Sequence, residues 1–598
     1  MLKELVNYSE NHIPNSEPGF KNREIRWSVE LAADGRFLSV IPLGDEKRGL
    51  SCPRCPDMHG MNAGGRAHFL VETAQTATLL FKPDEDQKKI TTATERHRFF
   101  VHLFQEATNQ VPQLKPVADL LSDDLRLVEV REALERHGAK PSDWIAWRVG
   151  GIDLSQDDKV QEWWREWRKM DSKPRKTPST DAHSDNTAGD SKMLCFLTGE
   201  SVIPLATHPK ITGLSGVGGL AMGDVLVGFD KEAFVSYGLS QASNAAMSDE
   251  AVQKYVDGLN DLVRNHSHKF ANALVVHWFK ERIPPEQDPF AFLLGFETPD
   301  QTEASALASI RRLINSIRSG QRADLGNNHY YAITLSGASG RVMIRDWMEG
   351  HFEDLVGNVE AWFSDLAITK WDGQSIASDP KFYEVCLALV RNDREKSISK
   401  NLEQLPSPTV STLWKVAVQR LPIPQPLMVQ ALVRFRSDLI KDEPFNHARI
   451  ALIKAYFFRL ISGGDATMTA YLNPDHPEPA YHCGRLLALL ANLQRSALGD
   501  VGAGVVQRYY AAVSQTPGLI LGRLVSNARN HLGKLEPGLA WWYEEQIAKV
   551  MGRFGDHAPR VLDLEGQGLF ALGYYQQLAA LRNHTSKSAT DSEQGESK

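Results

Sequence analysis

Ile25-Arg26-Trp27-Ser28-Val29-Glu30-Leu31-Ala32-Ala33-Asp34-Gly35-Arg36-Phe37-Leu38-Ser39-Val40-Ile41 is the stretch on which the fold class turns. Ile25, Trp27, Val29 and Leu31 alternate with polar residues, the period of a half-buried strand, and Ala33-Asp34-Gly35 supplies the turn into Phe37–Ile41. A β-hairpin is expected here. Beyond about Trp362 the spacing changes to i, i+3, i+4, as in Met428, Ala431, Leu432 and Phe435, or Ile450, Ile453, Tyr456 and Phe457. Strands early and helices late predict an α+β protein: mixed α/β N-terminal and central domains, then a predominantly helical C-terminal region ending in a helical bundle.

Working outward from the hairpin, a Gly, Pro and Cys-rich loop is expected over Cys52 to Gly65, then mixed helix up to a tryptophan cluster, Trp144, Trp147, Trp163, Trp164 and Trp167. Core packing is the plain reading of that cluster; a base-stacking platform is the other. From Asp171 to Lys192 no apolar side chain exceeds alanine, so a flexible linker is expected. Met193–Gly199 reads as a strand entering a turn, and a Gly-rich loop, Gly213 to Gly223, leads to a second apolar run, Val225–Phe229. An Arg-bearing helix, Ile310–Arg318, and a strand pair, Tyr330–Leu335 with Arg341–Arg345, complete this part. The last helices are expected near Ala480–Leu498, Val505–Val513, after the Thr516-Pro517 cap, over Pro537–Phe554 and near Leu569–Leu581, with a disordered polar tail from His584. The expected domains are 1–170, a linker 171–192, 193–360, 361–467, a bundle 468–583 and the tail 584–598.

At about 150 residues per domain, 598 residues make several domains, and 42% apolar residues with 13 Trp and 24 Phe supply ample core. The net charge of −7 excludes a tail-driven nucleic-acid binder and leaves local basic faces as the route to phosphate. Without an apolar run of about 18 residues or a signal-peptide start, the chain reads as cytoplasmic. Five cysteines at irregular separations fit a reducing compartment rather than a disulfide framework.

The common ATPase, zinc-protease and hydrolase signatures are absent. Gly216-Val217-Gly218-Gly219-Leu220-Ala221 loosely fits a dinucleotide loop but lacks the buried strand before it. Cys52 and Cys55 with His59 or His68 have the spacing of half a zinc site, without a convincing second half. His266-Ser267-His268 reads as a solvated loop. Charge carries more information: residues 305–345 and 481–535 each have a net +5, and 536–565 a net −3. Such stretches suit a phosphate backbone, or are solvated helix faces paired with acidic neighbours.

Several segments together resemble one family, the large subunit of the type I-C CRISPR surveillance complex, Cascade. They are Ile25-Arg26-Trp27 with Asp34-Gly35-Arg36; Cys195–Glu200 followed by His208-Pro209; Phe229–Gly238 with Asn244-Ala245; Tyr331–Leu335 with Arg341–Gly350; and, near the end, Ala497–Asp500, Arg508-Tyr509-Tyr510, His531–Leu535 and Gln567–Tyr575. Their order and spacing span nearly the whole chain. The resemblance implies a non-catalytic reader of the protospacer-adjacent motif (PAM) in duplex DNA, needing no cofactor. It implies as partners a crRNA, double-stranded target DNA, the backbone and crRNA-handle-binding subunits, a small subunit that can come from internal translation of the same gene, and a helicase-nuclease that cuts; Met468, just before the bundle, is a candidate internal start. Where the family tends to have Phe-Leu-x-Asp-Asn-Ala, this chain has Phe69-Leu70-Val71-Glu72-Thr73-Ala74-Gln75, so threonine replaces an asparagine able to bond an adenine edge twice. Asn62, Arg66, Thr73 and Gln75 are the PAM candidates. Arg508, Arg523, Arg529 and Lys534 are the displaced-strand candidates, and Arg311, Arg312, Arg318, Gln241 and Asn244 are further nucleic-acid contact candidates. The competing readings are an enzyme whose active site lacks recognisable motifs and a purely structural scaffold.

Overall fold

The computed structural model describes all residues except 14–15, 46–47, 59–64, 172–191, 236, 238, 240, 296–305, 378, 394, 442–445, 500, 502–503 and 596–598, and the side chains of 171 and 584–595. The expected linker 171–192 and Asn62 therefore fall largely or wholly outside the described residues. The chain is α+β and divides into two compact units.

The first unit comprises Met1–Ser215, Gly219–Asn265 and the short piece Ala338–Val342. Its strands are β1 (Phe20–Ile25), β2 (Trp27–Leu31), β3 (Phe37–Pro42), β4 (Leu50–Pro56), β5 (Glu72–Thr73), β6 (Trp144–Val149), β7 (Ile152–Asp153), β8 (Met193–Leu194) and β9 (Ser201–Val202). The hairpin forms as the alternation requires, β2 against β3 with Val29 opposite Val40. It belongs to a sheet of order β3-β2-β6-β5, with β7 on β6 and β2 parallel to β6. Ile25 lies on another strand. At Arg26 the chain breaks the run, its N–H donating to Trp144 O (2.9 Å) and its carbonyl accepting from Leu43 N (2.8 Å). Residues 20–25 pair instead with β4, so the expected Cys52 to Gly65 loop begins as strand. The tryptophans are core: Trp147, Trp163, Trp164 and Trp167 are buried, Trp164 and Trp167 stack at 5.3 Å, and Phe69 lies 4.9 Å from Trp163.

Two expected strands shrink. Only Met193-Leu194 of Met193–Gly199 is extended in a sheet, and Val225–Phe229 contributes a single bridge, Val225 to Arg341. The Gly-rich loop is closed on itself: buried Asp224 accepts from Leu220 N with both oxygens (3.2 and 3.1 Å). Helix Leu2–His12 packs on helix Asp249–Asn265, where a Cβ on Gly258 would come within 2.6 Å of Leu5 O.

The second unit comprises Gly216–Gly218, His266–Gly337 and Met343–Lys598. Its sheet has the order β10 (Ser267–Phe270), β11 (Ala273–Phe279), β12 (His329–Ala338), β13 (Arg341–His351). His268 thus sits on a strand, not in a solvated loop, and burial pulls its imidazole down to about 4. The β12–β13 hairpin turns at Ser339 and Gly340, both at positive φ (48° and 96°), as a two-residue turn of the right twist demands.

Helices then follow without further strands among the described residues. Pro479–Leu498, Val505–Val513 and the Pro517 start of Pro517–Leu532 fall where the sequence puts them, and Pro537–Met551 is carried on to Phe554 by a 3-10 turn. The last helix, Leu564–Gly595, runs on through 584–595, most of the tail expected to be disordered. One apolar core extends from Phe270 to Leu581, so the expected segments 361–467 and 468–583 share it. At its centre helices Pro479–Leu498 and Leu564–Gly595 cross at two glycines: a Cβ on Gly484 would overlap Phe570 O, and one on Gly573 would overlap Tyr481 O.

Candidate nucleic-acid interface

The segment from Arg66 to Gln75 is held by its own chain on both sides. Ala67, Phe69, Leu70 and Val71 are buried anchors, and Leu70 adopts φ 61° to reverse the backbone between them. Buried Glu72 folds back, its carboxylate accepting from His68 N (2.9 Å) and Thr73 N (2.8 Å). Thr73 ends β5 and starts helix Ala74–Thr78; its hydroxyl bonds Thr76 (3.3 Å), and Gln75 N donates to Pro141 O (2.9 Å). Helix Gln87–Ala107 backs the whole segment: Phe99 lies under the Arg66 guanidinium (5.7 Å), and His97 Nδ1 meets Thr76 O (2.9 Å). Arg66, Thr73 and Gln75 are all half-buried.

A four-residue cluster that no sequence motif announces ties down the base of the loop. Arg23 of β1 is ion-paired with Asp57, stacks 3.9 Å over Trp144 and touches the His68 ring, which also lies 3.0 Å from Asp57 and accepts from Met58 N (2.9 Å). Burial alone would raise the Asp57 pKa, yet the adjoining His68 ring and the Arg23 charge hold it well below the carboxylate range. No local pattern marks this cluster, because its members come from separated segments.

The two positively charged stretches differ in three dimensions. In residues 305–345, Arg311 pairs with Glu360 (2.9 Å), Arg318 with Glu353 (3.5 Å), Arg322 with Asp324 (2.8 Å) and Arg341 with Asp230 (3.1 Å), while Arg312 reaches Ser309 (3.1 Å). Carboxylates mostly outside the stretch thus neutralise much of its +5. In residues 481–535, Arg485 is buried and bonded to Gln577 (2.9 Å), so it is no surface charge. Arg508, Arg523, Arg529 and Lys534 are exposed, and among the described residues none is in an ion pair. Helix Pro517–Leu532, which carries two of them, contains no Asp or Glu.

The model of a family described as CRISPR-associated protein (Cas_Csd1) matches residues 5–582 of this chain, through both units. The chain belongs to the Cas_Csd1 family. No curated protein matches it. Membership places it in CRISPR antiviral defence.

Two remaining candidates of the Cas_Csd1 chain share one short turn, Gln241–Ala245. Gln241 opens it, exposed at φ 49°, and Asn244 spends its amide on Gln241 O (3.0 Å). Cys52 and Cys55 are both buried, with Cys52 drawn down to about 7 by the Cys55 hydrogen bond, but no group of three metal-ligating side chains occurs among the described residues. His59 lies outside them. A cavity of about 410 Å³ in the second unit is lined by Arg318, Glu353, Glu360, Asp365, Arg420 and their neighbours, with no His or Cys in its wall. No described helix is long and apolar enough to cross a membrane.

Proposed function

We propose that this chain is the large, non-catalytic subunit of a type I-C crRNA-guided surveillance complex, which recognises the PAM in duplex DNA, promotes R-loop formation and helps recruit the helicase-nuclease. The family match over residues 5–582 carries the reading. In guide-dependent systems base pairing supplies most of the specificity, so the protein needs a short groove-reading element and basic tracks for single strand. The half-buried segment Arg66 to Gln75 supports the first role. The exposed cations of 508–534 support the second. The crRNA, the backbone and handle-binding subunits and a small subunit from internal translation are the partners of this reading.

Arg66→Ala and Gln75→Ala, each tested in the assembled complex, are expected to weaken discrimination between PAM variants by about 1–3 kcal/mol per lost base contact. Guide-matched single-stranded target should bind unchanged. Equal losses on both substrates would mark an assembly defect and defeat the assignment.

Neutralising Arg508, Arg523, Arg529 and Lys534 together is expected to lower target binding equally for all PAM variants, because phosphates carry no sequence information. The slope of log affinity against log salt should flatten by roughly 0.7 per single-strand contact removed. An unchanged slope in the complex would make these residues a solvated face.

A further inference from the structure

Of thirteen tryptophans, all within the described residues, Trp541 alone is exposed, at 64%. Its neighbours in the same helix turn inward: Trp542 packs against the core, and buried Tyr543 bonds Asn492 (2.8 Å) and Ser496 (2.9 Å). An outward indole on a helix otherwise anchored by its aromatics exposes a large apolar face. Trp541 stands four residues into helix Pro537–Met551, and Arg529 three residues before the end of helix Pro517–Leu532. At a helical rise of about 1.5 Å per residue, both lie within roughly 6 Å, along the helix axes, of the turn that carries Lys534.

We propose that Trp541 is a base-stacking platform for a DNA single strand whose phosphates run along Arg523, Arg529 and Lys534. This rests on the displaced-strand reading above and adds the residue that grips the bases. Charge fixes the orientation of the strand. Glu536 and Glu544, both exposed, flank Trp541 and repel phosphate, whereas helix Pro517–Leu532 has cations and no carboxylate, so the backbone lies on that helix and the bases turn toward the indole. Any base has a π-face to offer, which suits a strand of arbitrary sequence.

The full-length chain is titrated with a 20-nucleotide oligo(dT) and with an abasic oligomer of equal length. Trp541→Ala is expected to weaken oligo(dT) binding roughly 5- to 100-fold, with the salt slope unchanged and the abasic oligomer bound as before. Trp541→Phe should keep most of the affinity. A Trp541→Ala affinity within twofold of native, or the same loss on the abasic oligomer, overturns the stacking role. If neutralising the four cations also leaves oligo(dT) binding at the native level, the strand path itself falls. In the assembled complex, 5-iodouracil in the displaced strand should photocrosslink to Trp541; a crosslink from 5-iodouracil in the crRNA instead would overturn the assignment to DNA.

Discussion

Asp365→Ala is expected to lower the unfolding free energy of the second unit by about 3–5 kcal/mol. Asp365 is 3% exposed and receives Arg459 Nε at 2.8 Å, while Arg459 Nη1 also donates to Val416 O (2.9 Å) and Leu421 O (3.1 Å) beside the Trp362 ring. Burial already pushes the Arg459 pKa down, opposed by the Asp365 charge. Removing the carboxylate strands a desolvated guanidinium. Replacing both partners, Asp365→Leu with Arg459→Met, should recover most of the loss, since apolar pairs of similar volume often match a buried ion pair. Urea melts followed by circular dichroism decide the matter: a loss under about 1 kcal/mol for the single change would mean the pair behaves like a solvated surface pair.

Gly484→Ala should cost at least the upper end of the roughly 1–3 kcal/mol typical of overpacking, because the added methyl meets a carbonyl rather than a side chain that can swing away. Gly573→Ala meets the reciprocal carbonyl in the same crossing. The two losses should fall short of additive, as the first change already pries the helices apart. Gly522→Ala is the control: it sits in helix Pro517–Leu532 with nothing within 4 Å of the methyl it would add, so it should gain up to about 1 kcal/mol from helix propensity. Melts in which all three variants moved alike would show that propensity, not close approach, governs these positions.

The β2–β3 hairpin and the Pro517 helix start are legible in the string of residues because their signals are local, a period, a turn and a proline in the first helical turn; the threonine cap expected beside that proline does not form, the Thr516 hydroxyl donating back to Ala512 O (3.0 Å). The pairing of Phe20–Ile25 with Leu50–Pro56 is not, because its hydrogen-bonding partner lies about thirty residues away and Gly and Pro near Cys52 argue for a loop. Charge counting fails where burial or pairing intervenes. Arg485 counts toward the +5 of 481–535 in one dimension, yet it is buried and bonded to Gln577 at 2.9 Å inside the fold. Thr73 and Gln75 come from family resemblance, whereas the Arg23, Asp57, His68 and Trp144 cluster beneath them emerges only in three dimensions.

The shared core of the helical region bears on how a cell would handle the shorter, internally translated product that the proposed function invokes. Met468 is itself 6% exposed in that core, and Gly568 of the last helix lies against Phe457 and Met428, which a chain begun at Met468 would not contain. Such a product would leave the ribosome with a greasy flank that its full-length sibling covers internally. Its lifetime would then follow supply and demand: copies that find a vacant berth in the complex persist, and surplus copies aggregate or feed the proteases.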